Sequence, residues 1–243
     1  MGLSQKTKVG FILKKLVFFL VCLILLVFIW FKTENLIKNN LNTLENKSDY
    51  IFKKENDVYA HLKVQGTNID YPIAQHPVDD QYYLSHDIDH LKTIYGAIFT
   101  EKINKKDFKD PATIVYGHST YDGSMFGSLE WFEASDFFNK NKKIEISTQN
   151  EKIDYEIFSA YSYTDDHLID SFNLTDRTSI SDYFQKIKKF SEDLQGNYRD
   201  ISYSDSDKLL ILSTCDIKNN ERRFVVHAKE IKRVLVKDIS KAK

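Results

Sequence analysis

The chain's clearest candidate for covalent chemistry is Cys215. It lies in KLLILSTCD, residues 208–216, where an apolar run passes directly into Ser213, Thr214 and the thiol. A nucleophile at a strand's end sits where the core stops and solvent begins, on backbone that the core holds rigid. A free thiol, with a pKa of about 8.5, is only a few per cent thiolate at neutral pH, so a base or a positive charge beside it matters. Taken alone, a strand-end cysteine is more often a buried core residue than a nucleophile.

The partner base is sought among seven histidines. His61, His86, His90 and His167 stand in polar or mixed settings and read as surface residues. His76 lies in a Gln-His-Pro turn, and His227 falls inside the strand pattern RFVVHAK, where a core or barrel-facing place is the default. His118 differs, because it follows the apolar strand TIVYG and precedes the polar loop STYDG. It is the best positioned base. Arg222 and Arg223 begin the last clear strand, no more than eight residues beyond Cys215, with Asn219 and Asn220 between them. That interval reads as a tight connection between antiparallel neighbours, which would bring one arginine to the mouth of the cysteine site. There it would bind a substrate carbonyl or the oxygen on which charge develops in acyl transfer. For Arg222 a solvated pair with Glu221 is the simpler reading, and Arg223 is the catalytic candidate.

These residues need elements to position them. Strand-like pieces recur at 58–64, 69–74, 93–99, 113–116, 143–147, 152–162, 208–213 and 224–228, separated by turns and longer excursions. Such a pattern predicts a barrel or a sandwich. One helix interrupts them at 178–194, with Ile180, Tyr183, Phe184, Ile187, Phe190 and Leu194 on an amphipathic stripe. Ser179 with Asp182 resembles its capping box, and Gly196 suits its carboxyl end. No internal repeat and no second folded domain is evident.

Residues 16–31, LVFFLVCLILLVFIWF, carry no charge, and with 11–15 the segment spans 21 residues, against roughly 20 needed to cross a bilayer as helix. Lys14 and Lys15 can snorkel to the headgroups, and Trp30 suits an interfacial anchor. Lys6, Lys8, Lys14 and Lys15 precede the run, so the positive-inside bias places the amino end in the cytoplasm and the remainder outside. A cleaved signal peptide has the same basic start, but no small-x-small site follows; bulky Trp30, Phe31 and Lys32 do. An uncleaved anchor is the better reading. Cys22 in the apolar run reads as filler, which leaves Cys215 as the one cysteine of a compartment where paired cysteines are the rule. That isolation favours a thiol kept for its reactivity.

The 243 residues are 42% hydrophobic and 28% charged, with eight Gly and three Pro, which excludes a disordered or low-complexity chain. The 34 Lys and Arg nearly balance 35 Asp and Glu, which argues against a dominant nucleic-acid surface. Leaving out the four amino-terminal lysines, 30 basic against 35 acidic side chains remain, and tight adhesion to an anionic surface is not favoured. Two cysteines make neither a disulfide scaffold nor a zinc finger. The acidic groupings Asp79-Asp80, Asp87-x-Asp89 and Asp165-Asp166 read as turns, and no Gly-rich phosphate loop is present. No metal, nucleotide or organic cofactor is expected.

Taken together, the segments resemble sortases, specifically class B sortases, membrane-anchored cysteine transpeptidases of Gram-positive bacteria. LSTCD is similar to the family's TLxTC signature, with Ile211 in place of the leading Thr, a strand-forming exchange. IVYGHSTYDGSMFGSL, 114–129, resembles the segment that carries the family's histidine, here His118. RRFVV carries the family's arginine at Arg223, and VQGTNIDYPIAQ with YYLSHDIDHLKTIYGAIF resembles its early strands. Residues 33–48, with Leu36, Ile37, Asn40, Leu41 and Leu44 on one helical stripe, read as a stalk helix, and this stalk before the first strand and the helix between later strands resemble the class B additions.

The resemblance implies a mostly β fold: a sortase-type closed β-barrel with an N-terminal helical extension and an additional amphipathic helix between late strands. It divides the chain into a cytoplasmic basic terminus (1–15), a transmembrane signal-anchor core (16–31), a helical stalk (32–57) and an extracytoplasmic catalytic domain (58–243). It implies that the Cys215 thiolate attacks a surface-protein sorting signal after Thr, that His118 serves the departing and incoming amines, and that Arg223 positions the signal or stabilises the oxyanion. Thr214, Ser213, Tyr116 and Asp216 are candidates for lining the groove; for Asp216 a solvent-facing carboxylate is an equal reading. The implied partners are surface proteins with an LPxTG- or NPxTN-like C-terminal signal and an amine from a peptidoglycan precursor or a pilin lysine. A monomer, single-pass in the cell membrane, is the default expectation. The alternatives are a Cys-His cell-wall hydrolase, whose usual chain order is cysteine before histidine, and a membrane-tethered surface protein without enzymatic activity.

Overall fold

A computed structural model describes residues 18, 23–35, 57–164, 173, 176–215 and 222–236, with Cys215 described through its backbone. The chain divides into two compact units, Met1–Tyr50 and Ile51–Lys243. In the first, residues 23–35 are helical with exposed apolar side chains. With residue 18 they are the described part of the expected span and the start of the stalk; among the described residues no helix is long and apolar enough to cross a membrane. The rest of the expected stalk, up to residue 56, lies outside the described residues.

The second unit is built on nine strands: β1 (Val58–Val64), β2 (Asp70–Ala74), β3 (Ile98–Phe99), β4 (Ala112–Tyr116), β5 (Lys143–Thr148), β6 (Glu151–Thr164), β7 (Asn197–Tyr198), β8 (Leu209–Cys215) and β9 (Arg222–Leu235). The sheet runs β5-β1-β2-β3-β4-β8-β9-β6-β7, and β5 also pairs with β6. That pairing closes an eight-stranded barrel, with β7 added along β6. Closure leaves those eight strands without a long open edge. Two neighbours run parallel, β2 with β3 and β4 with β8.

Among the described residues two α-helices accompany the barrel, α1 (Ser135–Lys140) and α2 (Arg177–Asp193). The interior holds Leu62, Ile73, Val115, Phe126, Leu210, Leu212, Phe224 and Val226. A separate cluster packs Ile114, Phe158, Tyr161, Leu209, Ile211 and Val225 against Ile180, Tyr183, Phe184 and Ile187 of α2. This arrangement explains why LLIL in β8 is continuously apolar rather than alternating. Leu210 and Leu212 belong to the interior cluster, while Leu209 and Ile211 lie beneath α2. Fully burying each such side chain is worth roughly 1.5–3 kcal/mol, so the strand that carries Cys215 is anchored on both faces.

The structure adds α1 and β7 to the elements expected from the sequence, and departs from that expectation in three further places. The strand expected over 93–99 is reduced to Ile98–Phe99. The residues before it turn back on themselves, Thr93 N–H donating to Ser85 O (2.9 Å) and Ala97 N–H to Tyr83 O (2.9 Å), with Gly96 at φ +59°. The cap of α2 is Asp176, whose carboxylate accepts from Ser179 N–H, and not Ser179 with Asp182. At its other end Gln195 takes the left-handed conformation (φ 57°), and Gly196 N–H bonds Ser191 O at 2.7 Å. Gly196 is needed for a different reason, since a Cβ there would lie 2.4 Å from Tyr161 Cβ.

Candidate active site

The ends of three adjacent strands supply the candidate catalytic residues. In the parallel β4–β8 pair, Tyr116 is level with Ser213, and Gly117 N–H donates to Ser213 O at 3.3 Å, which carries the pairing one residue past β4. His118 follows one residue later, just past the end of β4 and beside the end of β8 that carries Cys215. Neighbouring strands lie about 4.8 Å apart. On the other side of β8, the antiparallel register pairs Cys215 with Arg223, and β9 in turn pairs Arg223 with Tyr163 of β6. Positions 215, 223 and 163 therefore form one row across β8, β9 and β6, and His118 stands two residues past the end of β4.

His118 is partly exposed at the start of the loop that leaves β4. Phe126 N–H donates back to His118 O at 2.9 Å, and a bridge between Ser119 and Met125 closes the loop's base. The imidazole Nε2 lies 2.7 Å from the Leu84 carbonyl oxygen. Gly117, just before it, has no room for a side chain: a Cβ would lie 2.5 Å from Ile98 Cδ1 and 3.0 Å from Phe126. The backbone that presents His118 is thus wedged between two core side chains.

The two arginines have different surroundings. Arg222 pairs with Thr164, its guanidinium donates to Ser162 O at 2.8 Å, and its Nε is buried without a hydrogen-bond partner. Arg223, partly exposed, holds the register position across from Cys215. Of the groove candidates, Tyr116 is half-buried and stacked on Phe99 at 5.5 Å. Ser213 and Thr214 are buried, and Thr214 Oγ1 has no hydrogen-bond partner. Asp216 lies outside the described residues.

Four of the other histidines are accounted for elsewhere. His227 is fully buried beneath α2, 2.8 Å from the Tyr183 hydroxyl and stacked on Tyr161. Burial pulls its pKa down to about 3, so it is a neutral core residue. His61 pairs with Asp70 at 3.1 Å, and His76 and His86 stack on Tyr82. His167 lies outside the described residues. Among the described residues, no group of three or more His, Cys, Asp or Glu side chains is arranged to hold a metal ion. Sequence reading did not single out the Leu84 carbonyl or Gly96, which meet the His118 ring. A backbone carbonyl has no sequence signal, and for Gly96 the one hint is its place in a turn before AIF.

Comparison with known proteins agrees with this architecture. A family model of the sortase domain matches residues 62–231. Sortase B of Listeria monocytogenes is 33% identical over 180 residues, which cover 73% of this chain and 71% of that protein. A mutant form of Clostridium perfringens sortase B superposes with a TM-score of 0.69 at 29% identity, over 80% of this chain and 89% of that one. A Staphylococcus aureus sortase B–substrate complex does so with a TM-score of 0.67 at 26% identity, over 82% and 94%. On this combination of a closed eight-stranded barrel, a helix between late strands and sequence similarity along most of its length, the chain belongs to the sortase family and, within it, to the class B sortases, cysteine transpeptidases that anchor surface proteins.

Proposed function

We propose that Cys215, His118 and Arg223 are the working residues of this transpeptidase. The observation that supports the reading is the strand order, in which β4 and β9 flank β8, although His118 and Cys215 lie about a hundred residues apart in the chain. The Cys215 thiolate attacks the carbonyl carbon that follows Thr in the sorting signal, and the carbonyl electrons move to oxygen. Arg223 stabilises that oxyanion or holds the signal in place. Collapse breaks the C–N bond, the departing amine takes a proton from the His118 imidazolium, and a thioester remains. An acceptor amine then attacks the thioester and passes its proton to His118. The thiolate leaves, and the starting ion pair is restored. Water competes with the amine as a wasteful acceptor.

The signal is of the LPxTG or NPxTN type, and the acceptor is an amine of a peptidoglycan precursor or a pilin. Residues 1–15 lie in the cytoplasm, 16–31 cross the membrane, 32–57 form the stalk and 58–243 act outside as a monomer. The lysine asymmetry around the apolar run supports that orientation. The test is mass spectrometry of the full chain in detergent with LPxTG, NPxTN and SPxTG peptides, with and without an amine acceptor, beside Cys215→Ala. Cleavage after Thr with an acceptor-linked product, absent in the variant, is the expected result. Turnover that persists in Cys215→Ala removes the mechanism.

A further inference from the structure

The grip on the His118 ring comes from a distant segment. A single 3-10 turn, Tyr82–Leu84, ends with its last carbonyl 2.7 Å from His118 Nε2. The turn is fixed on several sides. Tyr83 is buried, its hydroxyl donates to Asp57 Oδ2 at 2.8 Å, and its carbonyl accepts from Ala97 N–H. The Tyr82 ring lies between the imidazoles of His76 and His86, with centroid distances of 4.2 and 4.1 Å. His86 Nδ1 also donates to Tyr82 O at 3.0 Å. Gly96, at φ +59°, completes the arrangement. A Cβ there would lie 2.3 Å from Tyr83 O, 3.1 Å from Leu84 O and 3.1 Å from His118 Cδ2. Both the backbone conformation and the close approach require glycine.

A carbonyl oxygen only accepts hydrogen bonds, so Nε2 is the protonated nitrogen of the neutral ring, and Nδ1 keeps its lone pair. We propose that the Leu84 carbonyl is the positioning group for His118: it holds the ring in the Nε2–H tautomer, so that Nδ1 exchanges protons with the departing and incoming amines, and Gly96 is the residue that allows this approach. The proposal rests on the reading of His118 as the acid–base. In acylation the Nδ1–H of the imidazolium passes its proton to the amine nitrogen as the C–N bond breaks. In deacylation the Nδ1 lone pair takes a proton from the acceptor amine. The Nε2–H···O=C bond persists through both steps, so no ring flip is needed between them.

The test is nuclear magnetic resonance of the full chain in detergent with isotope-labelled histidine, the His118→Gln spectrum identifying the ring's signals. Neutral His118 is expected to show a pyridine-type nitrogen at Nδ1 and a pyrrole-type nitrogen at Nε2. The reverse assignment, or an averaged pair, overturns the proposal. In Gly96→Ala the averaged pair is expected, with kcat reduced on the order of 100-fold and KM for the signal peptide within about twofold. Unchanged kcat in a folded Gly96→Ala protein also overturns it. Full activity in His118→Gln removes the acid–base reading and the proposal together, whereas an inactive His118→Gln with Nδ1–H in the wild type removes the positioning proposal alone.

Discussion

Arg223 on β9 is the direct register partner of Cys215 on β8, although seven residues of chain separate them. Directly opposed residues in an antiparallel pair have Cα atoms about 4.5–5.5 Å apart. Arg222, one step earlier, pairs with Thr164 and gives a guanidinium hydrogen bond to Ser162 O. Adjacent residues of a strand point to opposite faces, so two neighbouring arginines of the same chemistry have different surroundings.

Arg223→Ala is therefore expected to lower kcat/KM on the order of 100-fold or more, the usual cost of removing an oxyanion donor. Arg223→Lys recovers little, because a compact ammonium does not reproduce a planar fork of donors. Arg222→Ala leaves kcat/KM within about threefold and lowers the melting temperature, since about 1 kcal/mol of hydrogen bonding is lost. Peptide-transfer kinetics and thermal unfolding on the same preparations decide it. Equal kinetic losses in the two alanine variants would contradict this division of labour.

Gly117→Ala tests how His118 is presented. Its Cβ would meet Ile98 Cδ1 at 2.5 Å and the Phe126 ring at 3.0 Å, so either the core or the strand end has to move. Overpacking of this kind costs about 1–3 kcal/mol. The expected result is a lower urea midpoint together with a kcat reduced at least about tenfold. A variant as active as wild type would show that the β4 end is not held by this wedge.

His227 makes the stability depend on acid. Its folded pKa of about 3 lies below the unfolded value of about 6.5, so the unfolded chain takes up the proton first as pH falls. Its contribution is fully present above pH 6.5, is lost as pH drops toward 3, and is level below that, with a slope of at most about 1.4 kcal/mol per pH unit. His227→Gln is expected to show a smaller loss of stability between pH 6.5 and 4.5 than the wild type in urea unfolding. The difference between the two proteins cancels the carboxylates common to both. Parallel pH profiles would mean that His227 is not held neutral in the fold.

The α2 cap gives a cleaner local test. Asp176→Ala removes the carboxylate that accepts from Ser179 N–H, at an expected cost of about 1 kcal/mol with transpeptidation unchanged. Ser179→Ala, which leaves that acceptor in place, is expected to change stability by less than about 0.5 kcal/mol. Unfolding curves in which Ser179→Ala costs more than Asp176→Ala would restore the capping box read from the sequence.

The elements that were legible in the sequence owe it to short-range causes. A 3.6-residue stripe marks α2 because one face must meet the barrel. The apolar run before Cys215 marks a strand buried on both sides, and turn residues bound most of the others. The local signals failed where several elements compete for one segment. Residues 93–97 look like a strand, yet their backbone groups bond within the loop that packs beside His118. The cap of α2 shifted because Asp176, three residues before Ser179, satisfies the same free amide.

By itself the sequence determined the types and order of the chemical groups: a base after one apolar strand, a thiol at the end of a second and arginines at the start of a third. Side-chain chemistry and hydrophobic period are properties of a residue and its near neighbours, so they can be read without a fold. Only the tertiary structure decided which positions stand level. The β4–β8 register sets the end of β4 beside the end of β8, the β8–β9 register sets Cys215 across from Arg223, and a one-residue slip there would replace Arg223 with Arg222 and reverse every face. The Leu84 carbonyl at the His118 ring belongs to the same class of fact. Every residue carries a carbonyl, and its partner is chosen by the packing of the whole chain.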